Sequence, residues 1–430
     1  MIIEEIVTIQ NASLPTCGFA SIMGLNLQQI MGSGFTSAWE AIILKVTQVN
    51  VYVTGPSKSG VEPTEEQKKM AWLSETVIAN PMSMYPEYFD RRSSWLGMGN
   101  RVIVQIETDA GITGLGESTG GRATAAIIKD HLTKFVVGQN PFQIEKLWDI
   151  LFKATMPYGR KGIPVMAVTA IDLALWDIIA KARQEPLYQS LGGAVKDKVQ
   201  AYVTGNDFSM TKQLGYYGQK LAMPYGPASG YEGMVKNVQL IKEARETLGD
   251  DVEIMLDCYM SWNVDYTIKM AEMIVPYRVK WIEEALPPDD YAGFGILNEK
   301  IKTSTIATGE HEYTHYGFQA LMDKRGAEIL QPDICWVGGL TAALKIGAMA
   351  QAQHLTVIPH GGGIQPWALH YVFSQTNTPL AEYFIGADEN RDPIFSGLQT
   401  PVNGWFHLPE NVIGAGISLS DKAFDYLYEV

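Results

Sequence analysis

From Leu44 the stretch LKVTQVNVYVTG alternates apolar and polar residues with the period of two that marks a half-buried strand. After a loop-like stretch to about Gly99, RVIVQIETDAGITGLGES has the same alternation, interrupted at Asp109-Ala110-Gly111, and reads as a hairpin. Helical spacing then fills residues 122–190; its last helix runs through AIDLALWDIIAKARQEPLYQSLGG and stops at a glycine pair. This first section is α+β. The rhythm changes near Val199. Short β-type runs recur with helical segments between them: VQAYVT, a stretch around Gln219–Ala222, EIMLDCY, VKWIEEA, TSTIATGE, EILQPD, LTVIPH and LAEYF. Strand–helix alternation of this length predicts parallel βαβ units closing into a (β/α)-barrel, an α/β fold. Four segments follow: an extension over 1–43 with no clear period, an α+β section over 44–192, a barrel over 193–400, and a Gly-rich tail over 401–430 that is expected to pack back on the first section.

Composition narrows the function. Apolar residues make up 46% and charged residues 19%, enough for a sizeable core. The net charge of −14 argues against nucleic acid, which calls for a basic face. An acidic protein acting on an anion needs local cations, from a metal or from placed Lys and Arg. Cys17, Cys258 and Cys335 form an odd set without ligand spacing, read as free thiols of a reducing compartment. The N-terminal MIIEEIV carries acids where a secretory signal carries Lys or Arg, and no apolar run approaches the roughly 18 residues of a membrane span. The expectation is a cytoplasmic protein without a membrane partner.

The candidate chemistry lies at the strand ends, where loops build the site of a (β/α)-barrel. Asp257, Glu283, Glu310, Asp333, His360 and Glu382 end successive strands and are separated by 26, 27, 23, 27 and 22 positions. Any one of them alone is an ordinary helix cap; six in register point to a site. Converging acids repel one another unless a cation sits among them. Carboxylate oxygens without soft donors favour Mg²⁺, with Asp257, Glu283 and Glu310 as its ligands and Glu284 facing the opposite way. Asp333 beside His360 suits an oriented general base, and Glu382 suits a contact to the reacting carboxylate. Lys220, taken singly, reads as a surface lysine. His131, His354, His370 and His407 read as structural or exposed. His311-Glu312-Tyr313-Thr314-His315 matches H-E-x-x-H, but it follows a strand directly and reads as a loop rather than a zinc-binding helix. Gly114-Leu115-Gly116 reads as part of the hairpin, not as a nucleotide loop.

These features together resemble the enolase superfamily, mandelate racemase-like subgroup. The resemblance spans about 44–420 and rests on AIDLALWDIIAK, MLDCYMSWNVDY, KWIEEALPPDDY, TGEH, QPDICWVGGLT, PHGG and AEYF. Within the subgroup these motifs are most similar to those of acid-sugar dehydratases acting on L-rhamnonate or L-lyxonate. The resemblance implies a capping domain over the barrel, a homo-oligomer such as an octamer, Mg²⁺ held by Asp257, Glu283 and Glu310, an Asp333–His360 dyad, and Glu382 as enediolate stabiliser. It implies removal of the C2 proton and loss of the C3 hydroxyl; the alternatives are an epimerase or cycloisomerase on the same fold and a barrel that binds sugar acids without catalysis. Arg92, Lys220 and His311 are then the expected substrate contacts. Two positions depart from the pattern. Ala222 stands where many relatives carry the second lysine of Lys-x-Lys, leaving His360 as the single base, and Val77 stands where a substrate-facing histidine is expected.

Overall fold

The computed structural model describes residues 44–60, 77–89, 100–206, 208, 209, 211–384 and 392–430. The expected extension over 1–43 and the substrate contact Arg92 lie outside the described residues. Lys45–Val430 form one compact unit.

The first section builds an antiparallel sheet from β1 (Val46–Thr54), β2 (Val102–Thr108) and β3 (Thr113–Ser118), with the turn at Asp109–Gly111 as expected. Helices α1 (Ile144–Thr155) and α2 (Ile163–Ala182) follow. α2 lies against β3 at very short range. A Cβ at Gly114 would fall 2.1 Å from the Ala174 carbonyl oxygen, and one at Gly116 2.0 Å from that of Ala170, so the Gly-Leu-Gly pattern serves helix–sheet packing. By length and hydropathy α2 could cross a membrane, a run the expectation above passed over, yet 83% of its apolar window is buried. It is a core helix. It also ends earlier than its spacing suggests, at Ala182. Pro186 disfavours helix at the residue before it, and Gln184 turns left-handed.

All eight expected barrel strands form: β4 (Lys198–Thr204), β5 (Gly218–Ala222), β6 (Glu253–Asp257), β7 (Val279–Glu283), β8 (Thr305–Thr308), β9 (Ile329–Leu330), β10 (Thr356–Val357) and β11 (Leu380–Phe384). Between them run α3 (Gly230–Leu248), α4 (Val264–Met273), α5 (Tyr291–Lys300), α6 (Thr314–Asp323), α7 (Gly339–Ala352) and α8 (Pro366–Ser374). The sheet is parallel and curled, in the order β10-β9-β8-β7-β6-β5-β4-β11. Among the described residues β10 and β11 form no ladder. Loop bonds bridge that seam, Val357 N–H to Asn377 and Gly363 N–H to Glu382. Tyr202, Met255, Trp281, Ala307, Ile329, Ile358 and Leu380 fill the interior as one apolar plug below the strand ends. Polar groups above it therefore face a floor that excludes water.

The tail divides. β12 (Trp405–His407) pairs with β4 of the barrel, whereas β13 (Leu427–Glu429) pairs with β1. Buried Asp177 ties three segments, accepting from Leu115 N–H (2.9 Å), Ala415 N–H (2.8 Å) and Lys181 (2.7 Å).

Candidate active site

The loop after β9 is where the capping section grips the barrel. Ser118 Oγ donates to the Cys335 carbonyl (2.6 Å), Thr169 Oγ1 to that of Trp336 (3.0 Å) and Trp148 Nε1 to that of Gly338 (2.7 Å). Asp172 accepts from Thr341 Oγ1 (2.5 Å). Gly338 and Gly339 both have positive φ, and a Cβ at Gly339 would meet Asp172 at 2.2 Å. Asp333 begins this clamped loop and is wholly buried. Its Oδ1 accepts from Cys335 N–H (2.7 Å), and its Oδ2 accepts from His360 Nδ1 (2.6 Å) and Gln365 Nε2 (2.9 Å). With Nδ1 committed to Asp333, His360 turns Nε2 outward, 3.4 Å from Glu310. Burial works against a charge on this imidazole, but Glu310, Asp333 and Glu382 overcome it and hold its pKa at about 10. Trp336 packs beside it, with ring centres 5.4 Å apart.

Lys220 is not a surface lysine. It is 1% exposed and its ammonium bonds to Glu283 and, at 2.7 Å, to Glu382. Glu382 also accepts from Thr204 Oγ1 and, through Oε2, from Gly361 N–H (2.8 Å), next to His360. Glu283 accepts from Gln331 Nε2 (2.6 Å) and Trp281 Nε1 (3.1 Å). Two buried carboxylates thus share one ammonium. Burial and the neighbouring acids Asp257 and Glu382 raise the Glu283 carboxyl; Lys220 and His360 outweigh burial at Glu382 and lower it.

Asp257 ends β6 directly beside Glu283 in the ladder, and its Oδ1 accepts from Tyr259 N–H (2.9 Å). Glu310 follows Gly309 (φ +135°); burial raises its carboxyl to about 7, with Glu284 and Asp257 adding and the histidines opposing. Alternation predicts Glu284 turned from the site, but its left-handed φ of 44° ends the strand and swings the side chain back. Its carboxylate lies 2.9 Å from His311 Nδ1. One donor atom each from Glu284, Glu310 and His311 falls within 4.8 Å of the others, a spacing that suits a cation. Its carboxylate oxygens suit a hard divalent ion, while His311 already pairs with Glu284.

The H-E-x-x-H segment does not set its two histidines on one helix face. Thr314, at φ 62°, separates a loop carrying His311 from the first turn of α6 carrying His315. His315 stacks on Trp148 and Tyr316. Glu312 is a tether, accepting from Lys161 (3.0 Å) and Tyr291 (2.5 Å). Val77 lies two residues before Ala79, whose N–H bonds to the Met223 carbonyl beyond β5. Gln331, Gln365, Trp336 and the inward turn of Glu284 escape the sequence reading, since a lone polar or aromatic residue near a strand end carries no spacing signal.

Comparison with known proteins places the chain in a family. Residues 92–192 match the mandelate racemase / muconate lactonizing enzyme N-terminal domain, and residues 208–423 match the enolase C-terminal domain-like family. A Caldivirga maquilingensis protein provisionally named L-rhamnonate dehydratase is 42% identical over 87% of this chain and 94% of its own length. The L-rhamnonate dehydratase of Saccharopolyspora erythraea is 38% identical over 88% and 97%. The crystal structure of rhamnonate dehydratase from Gibberella zeae complexed with Mg superposes with a TM-score of 0.84 at 33% identity, covering 91% of this chain and 98% of that one. Matched in both domains and nearly end to end by these relatives, the chain belongs to the mandelate racemase / muconate lactonizing enzyme family of the enolase superfamily.

Proposed function

We propose that the protein is a Mg²⁺-dependent acid-sugar hydro-lyase that converts an aldonate of the L-rhamnonate or L-lyxonate type to a 2-keto-3-deoxy acid. The observation that carries this reading is the Asp333–His360 pair, whose Nε2 lies 3.4 Å from Glu310 in the carboxylate cluster. We assign Asp257, Glu283 and Glu310 as the residues that would hold Mg²⁺. Bound there, the ion supplies positive charge to a substrate carboxylate as the α-carbon loses its proton. It would also offset the acids that hold His360 protonated, which brings the imidazole toward the range of a useful base.

His360 Nε2 takes the C2 proton, and the electron pair of that C–H bond moves into the carboxylate to form an enediolate. As that pair returns, the C3–O bond breaks; the imidazolium gives its proton to the departing hydroxyl, which leaves as water. The resulting enol ketonises at C3. Lys220 would place positive charge under the carboxylate. Glu382, ionised and fully bonded, acts toward the enediolate by holding Lys220 and Gly361 rather than by donating a hydrogen bond itself. His311, held by Glu284, and Arg92 are the remaining proposed substrate contacts.

An epimerase needs a second base on the opposite face. Ala222 provides none, and Lys220 is committed to two carboxylates. Association into a homo-oligomer belongs to the same proposal, and light scattering tests it. The functional test is a panel of aldonic and aldaric acids assayed for 2-keto-3-deoxy product, with and without chelator. L-Rhamnonate or L-lyxonate should lead the panel and chelation should abolish turnover, with Mg²⁺ restoring it. C2-inverted substrate as the product, or full turnover without metal, would overturn the reading.

A further inference from the structure

We propose that Gln365 is a positioning residue for the dyad, fixing the carboxylate of Asp333 through the same oxygen that orients His360. The inference rests on the reading of His360 as the base. Gln365 Nε2 lies 2.9 Å from Asp333 Oδ2, which also accepts from His360 Nδ1 at 2.6 Å. Cys335 N–H occupies Oδ1, so the amide supplies the third donor to a carboxylate that is fully buried. A buried carboxylate is held still when its lone pairs are filled by fixed donors.

The chain is shaped to deliver this amide. Gly362 N–H bonds to the Pro359 carbonyl, and the N–H groups of Ile364 and Gln365 both bond to that of Gly361. This turn folds the side chain of Gln365 back over Gly361 toward Asp333. Gly361 has φ +63°, and a Cβ there would lie 2.9 Å from Gln365 Nε2. The missing side chain at 361 is what leaves the amide its place. The other end of the amide, Oε1, is buried without a hydrogen-bond partner among the described residues. An orphaned carbonyl is costly, and here it is tolerated because the NH₂ end is committed to a charge. Among the described residues, no other hydrogen bond fixes the orientation of this amide. Without it, Asp333 Oδ2 has His360 as its one remaining side-chain donor among the described residues, and the imidazole is aimed less tightly.

The test is a double-mutant cycle with L-rhamnonate and saturating MgCl₂, using Gln365→Leu, Asp333→Asn and the double variant. Gln365→Leu should lower kcat by about tenfold or more, the usual cost of removing such a supporting bond. KM should stay within about threefold and the thermal midpoint should hold, as expected when aim rather than binding or folding is lost. In the Asp333→Asn background the same change should cost less than about twofold, because the oxygen it serves is gone. Gln365→Glu has the same size but sets a second carboxylate against Asp333, and should be worse than Gln365→Leu. Equal losses in both backgrounds, a pure KM effect, or native kcat in Gln365→Glu would overturn the proposal. Native activity in Asp333→Asn would overturn instead the dyad reading beneath it.

Discussion

Asp333→Asn is the sharpest probe of the dyad. The two side chains have the same shape, so packing in the clamped loop survives. The hydrogen bonds do not. Asp333 accepts three donors, Cys335 N–H, His360 Nδ1–H and Gln365 Nε2–H, and an asparagine has only one oxygen to offer them. If that oxygen stays with Cys335, the new NH₂ faces His360 Nδ1. The imidazole then moves its proton to Nε2 so that Nδ1 can accept, and Nε2 loses the lone pair that would take a proton from C2. The variant should forfeit most of what a base contributes, about 10² to 10⁴ in kcat. It cannot lose more than His360→Asn, which removes the base outright. The assay is ¹H NMR of turnover with saturating Mg²⁺, in H₂O and D₂O, with the thermal midpoint as a folding control. Deuterium should enter the product at C3 as the enol ketonises and should scarcely enter unreacted substrate. Asp333→Asn within tenfold of the native kcat, or a larger loss than His360→Asn shows, would refute the tautomer argument. Extensive C2 deuteration with inversion would point to an epimerase.

Three further outcomes follow from the geometry. Glu283→Gln should abolish Mg²⁺ binding in a calorimeter while Glu284→Gln keeps it; the opposite order would move the ion to Glu284, Glu310 and His311. His315→Ala should keep most of its activity and bind no less Mg²⁺, since the ring stacks on Trp148 and Tyr316; loss of a stoichiometric zinc would revive the peptidase motif. Burial lowers His370 from 6.5 to about 4, and its Nδ1 accepts from Tyr188 N–H at 3.2 Å. Its depressed pKa means the unfolded chain binds the proton first, so about 3 kcal/mol of stability present above pH 6.5 is lost as pH falls toward 4. Urea titrations of His370→Gln should show a shallower fall over that window, and an unchanged slope would contradict the assignment.

Much of this protein can be read from its residue order, because strands and helices leave different periods. The eight barrel strands, the hairpin at Asp109–Gly111 and the register of acids at strand ends are local patterns, set by which side of a strand each residue faces. The shared family motifs add the dyad and the expected metal ligands. What the order of residues could not show is who meets whom across the barrel. Lys220 reads as an ordinary exposed lysine, and only the curl of the sheet, which brings the ends of β7 and β11 in from either side of β5, buries it between Glu283 and Glu382. Glu284 breaks its alternation because its backbone turns left-handed, a conformation that adjacent letters do not reveal. Gln365 reaches Asp333 across 32 positions of chain, through a turn that depends on Gly361 lacking a side chain. Periodicity reports the direction a side chain takes from its own backbone; its partner depends on long-range packing, and that packing made these acids, this lysine and these histidines one site.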